Sequence, residues 1–239
     1  MEKAIIVNNF RNIKISKLKR FDRIYYGNEF CPNLLPKISE IKKNLRFFKR
    51  INKPVSFLTS YVSNDALAGY KSTIAYLSKQ KIIDEIIVND LGILNFCQKK
   101  HPSLKLVAGR ALTQIHHQGA YESLKVKRIE TDRDFFYGPD ILNRENKNIN
   151  NKISFYYPYT IIQGTRYCSL VESDNGKINP GIAKCHKECL RIGTLKLTHS
   201  NLKKTVILIG NVQLLKMISK NEIKKFKNID RIVYQDYGF

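Results

Sequence analysis

The chain of 239 residues is short of several things, and each shortage excludes a class. No apolar run reaches the roughly 18–20 residues that cross a bilayer, so no transmembrane segment is expected. The start, Met1 to Phe10 (MEKAIIVNNF), lacks the apolar core and small-residue cleavage site of an export signal, which points to the cytoplasm. H-E-x-x-H and G-x-S-x-G are both missing, so nothing marks a zinc or serine peptidase, and proteolysis is disfavoured. Cysteines number 5, an odd count that argues against a disulfide scaffold and for metal or redox use. Arginine is scarce, with 12 against 30 Lys.

Positive charge is abundant. The sum is 42 − 20 = +22, which suits nucleic acid, RNA included. The excess is nevertheless mostly Lys, spread along the chain beside 21 Asn, as an AT-rich genome would write it. Arg, the residue that forks onto phosphates and bases, is not favoured overall. Hydrophobic residues at 43% and charged residues at 26% are globular proportions, enough for one substantial domain.

Strand and helix signals alternate. Arg23–Gly27 (RIYYG) reads as a strand. Ile38, Ile41, Leu45 and Phe48 then make one helical face over 38–51. Val55–Val62 is a strand, and 66–80 a helix with Leu67, Ile74 and Leu77 inward and Asn64 or Asp65 as cap. Glu85–Val88 is a strand, Leu91–Lys100 a helix, and Leu104–Ala108, Val126–Glu130 and Ile153–Tyr157 are strands. Thr205–Gly210 and Arg231–Gln235 are late strands, with a basic helix at Gln213–Lys227 between them. This order predicts an α/β fold, a parallel β/α barrel of about six strands that is incomplete or distorted. We expect one domain over residues 1–239, with a Cys-bearing loop region at about 164–194.

Polar residues cluster where the strands end. Asn28-Glu29-Phe30-Cys31 follows the first strand, Asn89-Asp90 the third, and Gly109-Arg110 the fourth. In a β/α barrel such positions form the functional rim, although Asn, Asp and Gly also belong in ordinary turns. Arg110 and Arg166 are candidates for gripping an anion, and Glu29 and Asp90 for acid–base work or hydrogen bonding. Each has a plain alternative as a loop ion pair or cap. The run Tyr156, Tyr157, Tyr159 offers faces for stacking on an aromatic substrate, or simply fills a strand. His116-His117 are poor metal ligands, because adjacent side chains point apart.

Cys168, Cys185 and Cys189 form C-x16-C-x3-C in a turn-rich stretch with Gly176, Pro180 and Gly181. Grouped thiolates suit zinc or an iron–sulfur cluster. A fourth ligand could be Cys31, or His186 at the cost of strain beside Cys185. Structural zinc favours C-x2-C knuckles, and none is present, which leans towards a cluster. Cys97 lies within a helix beside Phe96 and reads as a buried thiol.

With RIYYGNEFCPNLLP (23–36), EIIVNDLGILNFC (85–97), LKLVAGRALT (104–113), RYCSLV…KCHKECL (166–190) and ILIGNVQLL (207–215) in this order, the chain resembles the collagenase-like peptidase family, peptidase family U32. Within it the chain looks closest to the UbiV type of oxygen-independent ubiquinone biosynthesis, over nearly all of residues 20–220. The resemblance implies a β/α barrel with a 4Fe–4S cluster on Cys31, Cys168, Cys185 and Cys189. It implies oxygen-independent hydroxylation of an aromatic or quinone-precursor substrate, alongside a paralogous subunit. An RNA-base hydroxylase on the same scaffold and a zinc-stabilised binding protein are the alternatives. The chain departs from the family in its shorter length and in its longer gap from Cys168 to Cys185.

Overall fold

The structure, a computed structural model, describes residues 1–7, 15–115, 124–132, 151–165, 168–170, 185–198, 200, 204–216, 223 and 229–235. Seven strands come first: β1 (Glu2–Val7), β2 (Arg23–Gly27), β3 (Val55–Leu58), β4 (Ile83–Val88), β5 (Leu106–Ala108), β6 (Arg128–Thr131) and β7 (Lys152–Tyr157). Four more, β8 (Tyr159–Gly164), β9 (Thr194–Leu197), β10 (Val206–Ile209) and β11 (Val212–Lys216), form a separate antiparallel sheet in the order β8-β11-β10-β9. The last, β12 (Ile229–Gln235), pairs in parallel with both β7 and β1. A closed, all-parallel barrel of eight strands results. The sequence predicts about six strands in an incomplete or distorted barrel. The closure comes from β1, which it does not predict, pairing with β12, whose Arg231–Gln235 it does.

The strands are nearly continuously buried, as expected where one face meets a filled barrel and the other a layer of helices. Alternate residues go to the two sides. Ala4, Ile6, Tyr25, Leu58, Ile87, Val107, Tyr156 and Val233 form one interior cluster. Tyr26 points the other way, meeting Phe48 edge-on at 5.4 Å and receiving a 2.9 Å hydrogen bond from Asn44 Nδ2.

Both of those partners lie on the long helix after β2. After the short α1 (Ile15–Leu18), the helices are α2 (Ile38–Ile51), α3 (Asn64–Leu77), α4 (Leu91–Lys100) and α5 (Arg110–Ile115). α2 buries Ile41, Leu45 and Phe48 from its predicted stripe and stops at Asn52, in the left-handed region at φ 48°. Burying each such side chain stabilises the barrel by about 1.5–3 kcal/mol. α3 is preceded by Ser63 rather than by Asn64 or Asp65 as cap, and buries Tyr70 and Thr73 with Ile74 and Leu77. α4 has its predicted bounds, and Asp90 caps it by accepting the Ile93 N–H at 3.0 Å. Among the described residues no helix is long and apolar enough to cross a membrane.

The chain divides into two compact units, Met1–Tyr157 with Ser219–Phe239, and Pro158–Ile218. The second contains much of the stretch read as a Cys-bearing loop region. Thr205–Gly210 does become a strand, but of the antiparallel sheet. The expected helix at Gln213–Lys227 is corrected at its start, where Val212–Lys216 is β11. Val212 and Leu214 alternate into the core, and a two-residue turn at Gly210-Asn211 pairs the strand with β10. Gly210 sits at φ 58°, which suits glycine.

Candidate functional site

The C-terminal ends of β2, β4, β5 and β6 carry the rim. Gly27 leaves β2 at φ 126°, and a Cβ there would lie 2.3 Å from the Leu58 carbonyl oxygen, so only glycine fits. Asn28 Oδ1 then accepts the N–H groups of Phe30 (3.0 Å) and Cys31 (2.7 Å). This tight turn fixes Glu29, which is 4% exposed.

The V-N-D and A-G-R motifs lock onto each other. Asn89 donates from Nδ2 to the Thr59 carbonyl (2.7 Å) and accepts at Oδ1 from Ala111 N–H (3.0 Å). A Cβ on Gly109 would fall 2.2 Å from that Oδ1, so the close approach requires glycine. The result launches α5 and delivers Arg110 to the barrel mouth.

Arg110 is fully buried. Its Nε and Nη2 donate to the two oxygens of Glu29 at 2.8 and 2.6 Å, and its Nη1 donates to Asp132 Oδ2 at 2.7 Å. The guanidinium carbon lies 3.8 Å from the Tyr156 ring centroid and 5.4 Å from that of Phe30. Burial alone would weaken the charge on Arg110, yet Glu29 and Asp132 hold its pKa well above the usual value. The guanidinium fork is therefore already occupied by this chain's own carboxylates. A substrate carboxylate reaches it only by displacing one of them.

Beneath this triad Glu130 is completely buried between two phenols. It accepts from Tyr25 OH at 2.8 Å and hydrogen-bonds to Tyr156 OH. Burial, with Glu29 nearby, pushes its carboxyl up to about 8 against the pull of the two hydroxyls, so it holds a proton at neutral pH. Tyr25 OH in turn accepts from Arg231 Nη1 at 2.7 Å. A polar thread thus runs from the triad towards the opposite end of the barrel.

Of the expected site residues, Glu29 and Arg110 are brought into direct contact. Asp90 is a helix cap that also accepts the Val62 N–H at 3.2 Å. Arg166 and the pair His116-His117 lie outside the described residues. Tyr156 lines the barrel interior, whereas Tyr157 packs edge-on against Tyr234 at 5.9 Å. Asn89 is placed on the rim by its position after a strand, but Asp132, Glu130 and Tyr25 are not marked as site residues by the sequence. A signal for two of them was present: Arg128 and Glu130 in β6 and Asp132 just past its end put charge on every second residue.

The cysteines divide between the units. Cys31 belongs to the barrel unit and Cys168, Cys185 and Cys189 to the second. Burial first, and then the neighbouring Cys168 and Cys185, raise the Cys189 thiol, so these three share one surrounding. Cys189 also lies against the hairpin turn, its Sγ 3.9 Å from where a Gly210 Cβ would be. In donor chemistry they fit a thiophilic metal or cluster. Among the described residues no three His, Cys, Asp or Glu side chains are already gathered around a metal position. Cys97 is fully buried and its thiol is pushed up to about 12 by burial, which makes it inert.

No family model and no curated protein matches the chain. Among solved structures, one of the U32 peptidases matches with a TM-score of 0.59 and 10% identity, over 100% of this chain and 94% of its own. An N-acetylglucosaminidase of glycoside hydrolase family 18 from Paenibacillus barengoltzii has a TM-score of 0.47 at 9% identity, covering 99% and 95%. A class V chitinase from Nicotiana tobaccum has 0.48 at 9% identity, covering 98% and 93%. Eight parallel strands with intervening helices define a TIM-type β/α barrel. More particularly, the chain has the fold of a U32 peptidase.

Proposed function

We propose that the protein is an iron–sulfur protein of the UbiV type, working with a paralogous subunit in oxygen-independent hydroxylation of an aromatic or quinone-precursor molecule. The observation that supports it is the shared surrounding of Cys168, Cys185 and Cys189, three soft donors in one small unit. Cys31, just past the β2 end, would be the fourth ligand. A 4Fe–4S cluster so held supplies one-electron redox chemistry.

The chain's own residues contribute binding and proton placement. Phe30, half-buried at the rim, offers an aromatic ring suited to a flat substrate, while Tyr156 is fully buried and backs the Arg110 guanidinium from inside. Arg110, clamped by Glu29 and Asp132, keeps one positive charge fixed there without a water shell. Glu130 stores a proton one ring away. Proteolysis is not part of this reading, since the buried Cys97 offers no usable thiolate.

Anaerobic purification followed by iron and sulfide counting tests the proposal. Four irons and four sulfides per chain are expected, falling on replacement of any of the four cysteines by Ser and unchanged in Cys97→Ala. Stoichiometric zinc in place of iron, or full cluster content in Cys31→Ala, would overturn it.

A further inference from the structure

The barrel's outer wall carries charge unevenly. α2 holds Lys42, Lys43, Arg46, Lys49 and Arg50 against Glu40, a net of 5 − 1 = +4. The next helix, α3, holds Lys71 against Asp65, a net of 0. All five α2 cations are exposed; Lys43, Arg46 and Arg50 lie on the side opposite Ile41, Leu45 and Phe48, and Lys42 and Lys49 flank it. Among the described residues none of them has a carboxylate within salt-bridge distance. Lys42 leans on the ring of Tyr76, 5.8 Å from its centroid, and remains exposed.

Drift towards Lys in an AT-rich genome does not account for this stripe. Such drift spares neighbouring helices no more than α2, and it does not write Arg. Arg46 and Arg50 stand one turn apart, a spacing that presents two phosphate-binding forks side by side. Lys49 and Arg50 also favour the helix C-terminus, but Lys42, Lys43 and Arg46 lie outside the last turn. From residue 42 to residue 50 the cations extend along roughly 12 Å of helix axis, a length over which a nucleic-acid strand presents several phosphates.

We propose that the outer face of α2 binds single-stranded nucleic acid, for which RNA serves as the probe, through its phosphate backbone. The face does not suit a lipid surface, because the apolar side that a membrane-lying helix would bury is already spent on the barrel. It does not suit duplex DNA either. A groove-reading helix must project, whereas α2 lies along the wall with Phe48 against Tyr26. Backbone tracking beside an aromatic ring is the remaining mode, and Phe47, half-buried between Lys43 and Arg50 on the helix, supplies the ring. The proposal is independent of what the rim binds, since α2 lies on the outer wall.

The test is fluorescence anisotropy with a labelled 20-nucleotide oligouridylate between 50 and 400 mM KCl. The variant K43Q/R46Q/K49Q/R50Q is compared with a charge-matched control, K71Q/K79Q/K99Q/K100Q, after both are shown to melt like the parent. The α2 variant should bind at least tenfold more weakly at 100 mM salt. Its slope of log affinity against log salt should be shallower by about 3, as four lost single-strand phosphate contacts would give. The control should lose less than threefold. Equal losses in the two variants would reduce the effect to bulk charge and overturn the proposal. So would α2-dependent binding to phosphatidylglycerol vesicles or duplex DNA without binding to the RNA.

Discussion

The two ends of the barrel carry similar inventories of ionised side chains, assembled in different ways. At the N-terminal end Glu2, Arg23, Glu85 and Arg231 all lie within strands. Glu2 accepts from Arg23 Nε at 2.7 Å and from Arg231 Nε at 2.6 Å, and Arg23 also donates to Asp84 at 2.7 Å. The ladders themselves hold these groups in place, Glu2 facing Arg231 in register. Water reaches them too, with Glu2 and Asp84 side chains 26% and 30% exposed. At the C-terminal end Glu29, Arg110 and Asp132 stand just beyond their strands, with side chains 0–3% exposed. They depend on turns and on each other. The first network is architecture. The second is an assembled site, sensitive to whatever alters the loops.

The sharpest way to break this distinction is Arg110→Ala. Two buried carboxylates would lose their cation, which should cost about 3–5 kcal/mol in urea unfolding. Arg23→Ala should cost less, about 1–3 kcal/mol, because Arg231 remains and water screens Glu2 and Asp84. Equal losses would refute the contrast.

Acidity separates the ends in sign. Glu130, below the triad, keeps its proton up to about 8 in the fold but releases it near the ordinary 4.5 when unfolded. Its contribution is complete below about pH 4.5 and is lost as pH rises towards 8, by up to about 1.4 kcal/mol per unit. Glu2 and Asp84 are instead held below their usual values by Arg23, Arg231 and Lys105, despite burial. They favour the fold above the normal carboxylate range and lose that contribution as pH falls. Unfolding curves at pH 5, 6.5 and 8 should show a decline in the parent that is absent in Glu130→Gln. Parallel pH profiles for the two would mean that Glu130 is ionised.

Smaller effects refine the picture. Gly109→Ala forces a methyl into Asn89 and should cost about 1–3 kcal/mol, part of which Asn89→Ala in the same chain restores. Lys105→Ala removes an exposed partner of Asp84, 72% accessible, and should shift stability by less than about 0.5 kcal/mol.

Much of the barrel was legible because its helices obey a 3.6-residue period and its strands are short, β-branched and closely spaced. α2 and α4 show this residue by residue. The closing strand β1 was not, since AIIV beside a polar tail carries no turn signal on its N-terminal side. Gln213–Lys227 misled because LLKMISKNEIKKF has helical spacing, while the turn at Gly210-Asn211 commits its first residues to a hairpin. In the site, strand order pointed to Glu29 and Arg110 separately. Their pairing spans 81 residues, a separation at which no local pattern in one sequence signals contact. Glu130, fully buried within β6, sits where a parallel strand should be apolar, and that anomaly was the readable clue.

Closure of the barrel has a consequence for how the chain is made. β1 finds one neighbour, β2, within about twenty residues, but the other, β12, only after 229, as in the pair Glu2–Arg231. During vectorial synthesis the seven-stranded sheet must wait with two raw edges, one along Ala4–Val7 and one along Ile153–Tyr157. Both are apolar and rich in β-formers, the sort of template on which nascent chains stick to one another. The second unit, made between β7 and β12, lengthens that wait by 61 residues. Yield should therefore respond to translation speed and to chaperone supply more than the stability of the finished barrel would suggest.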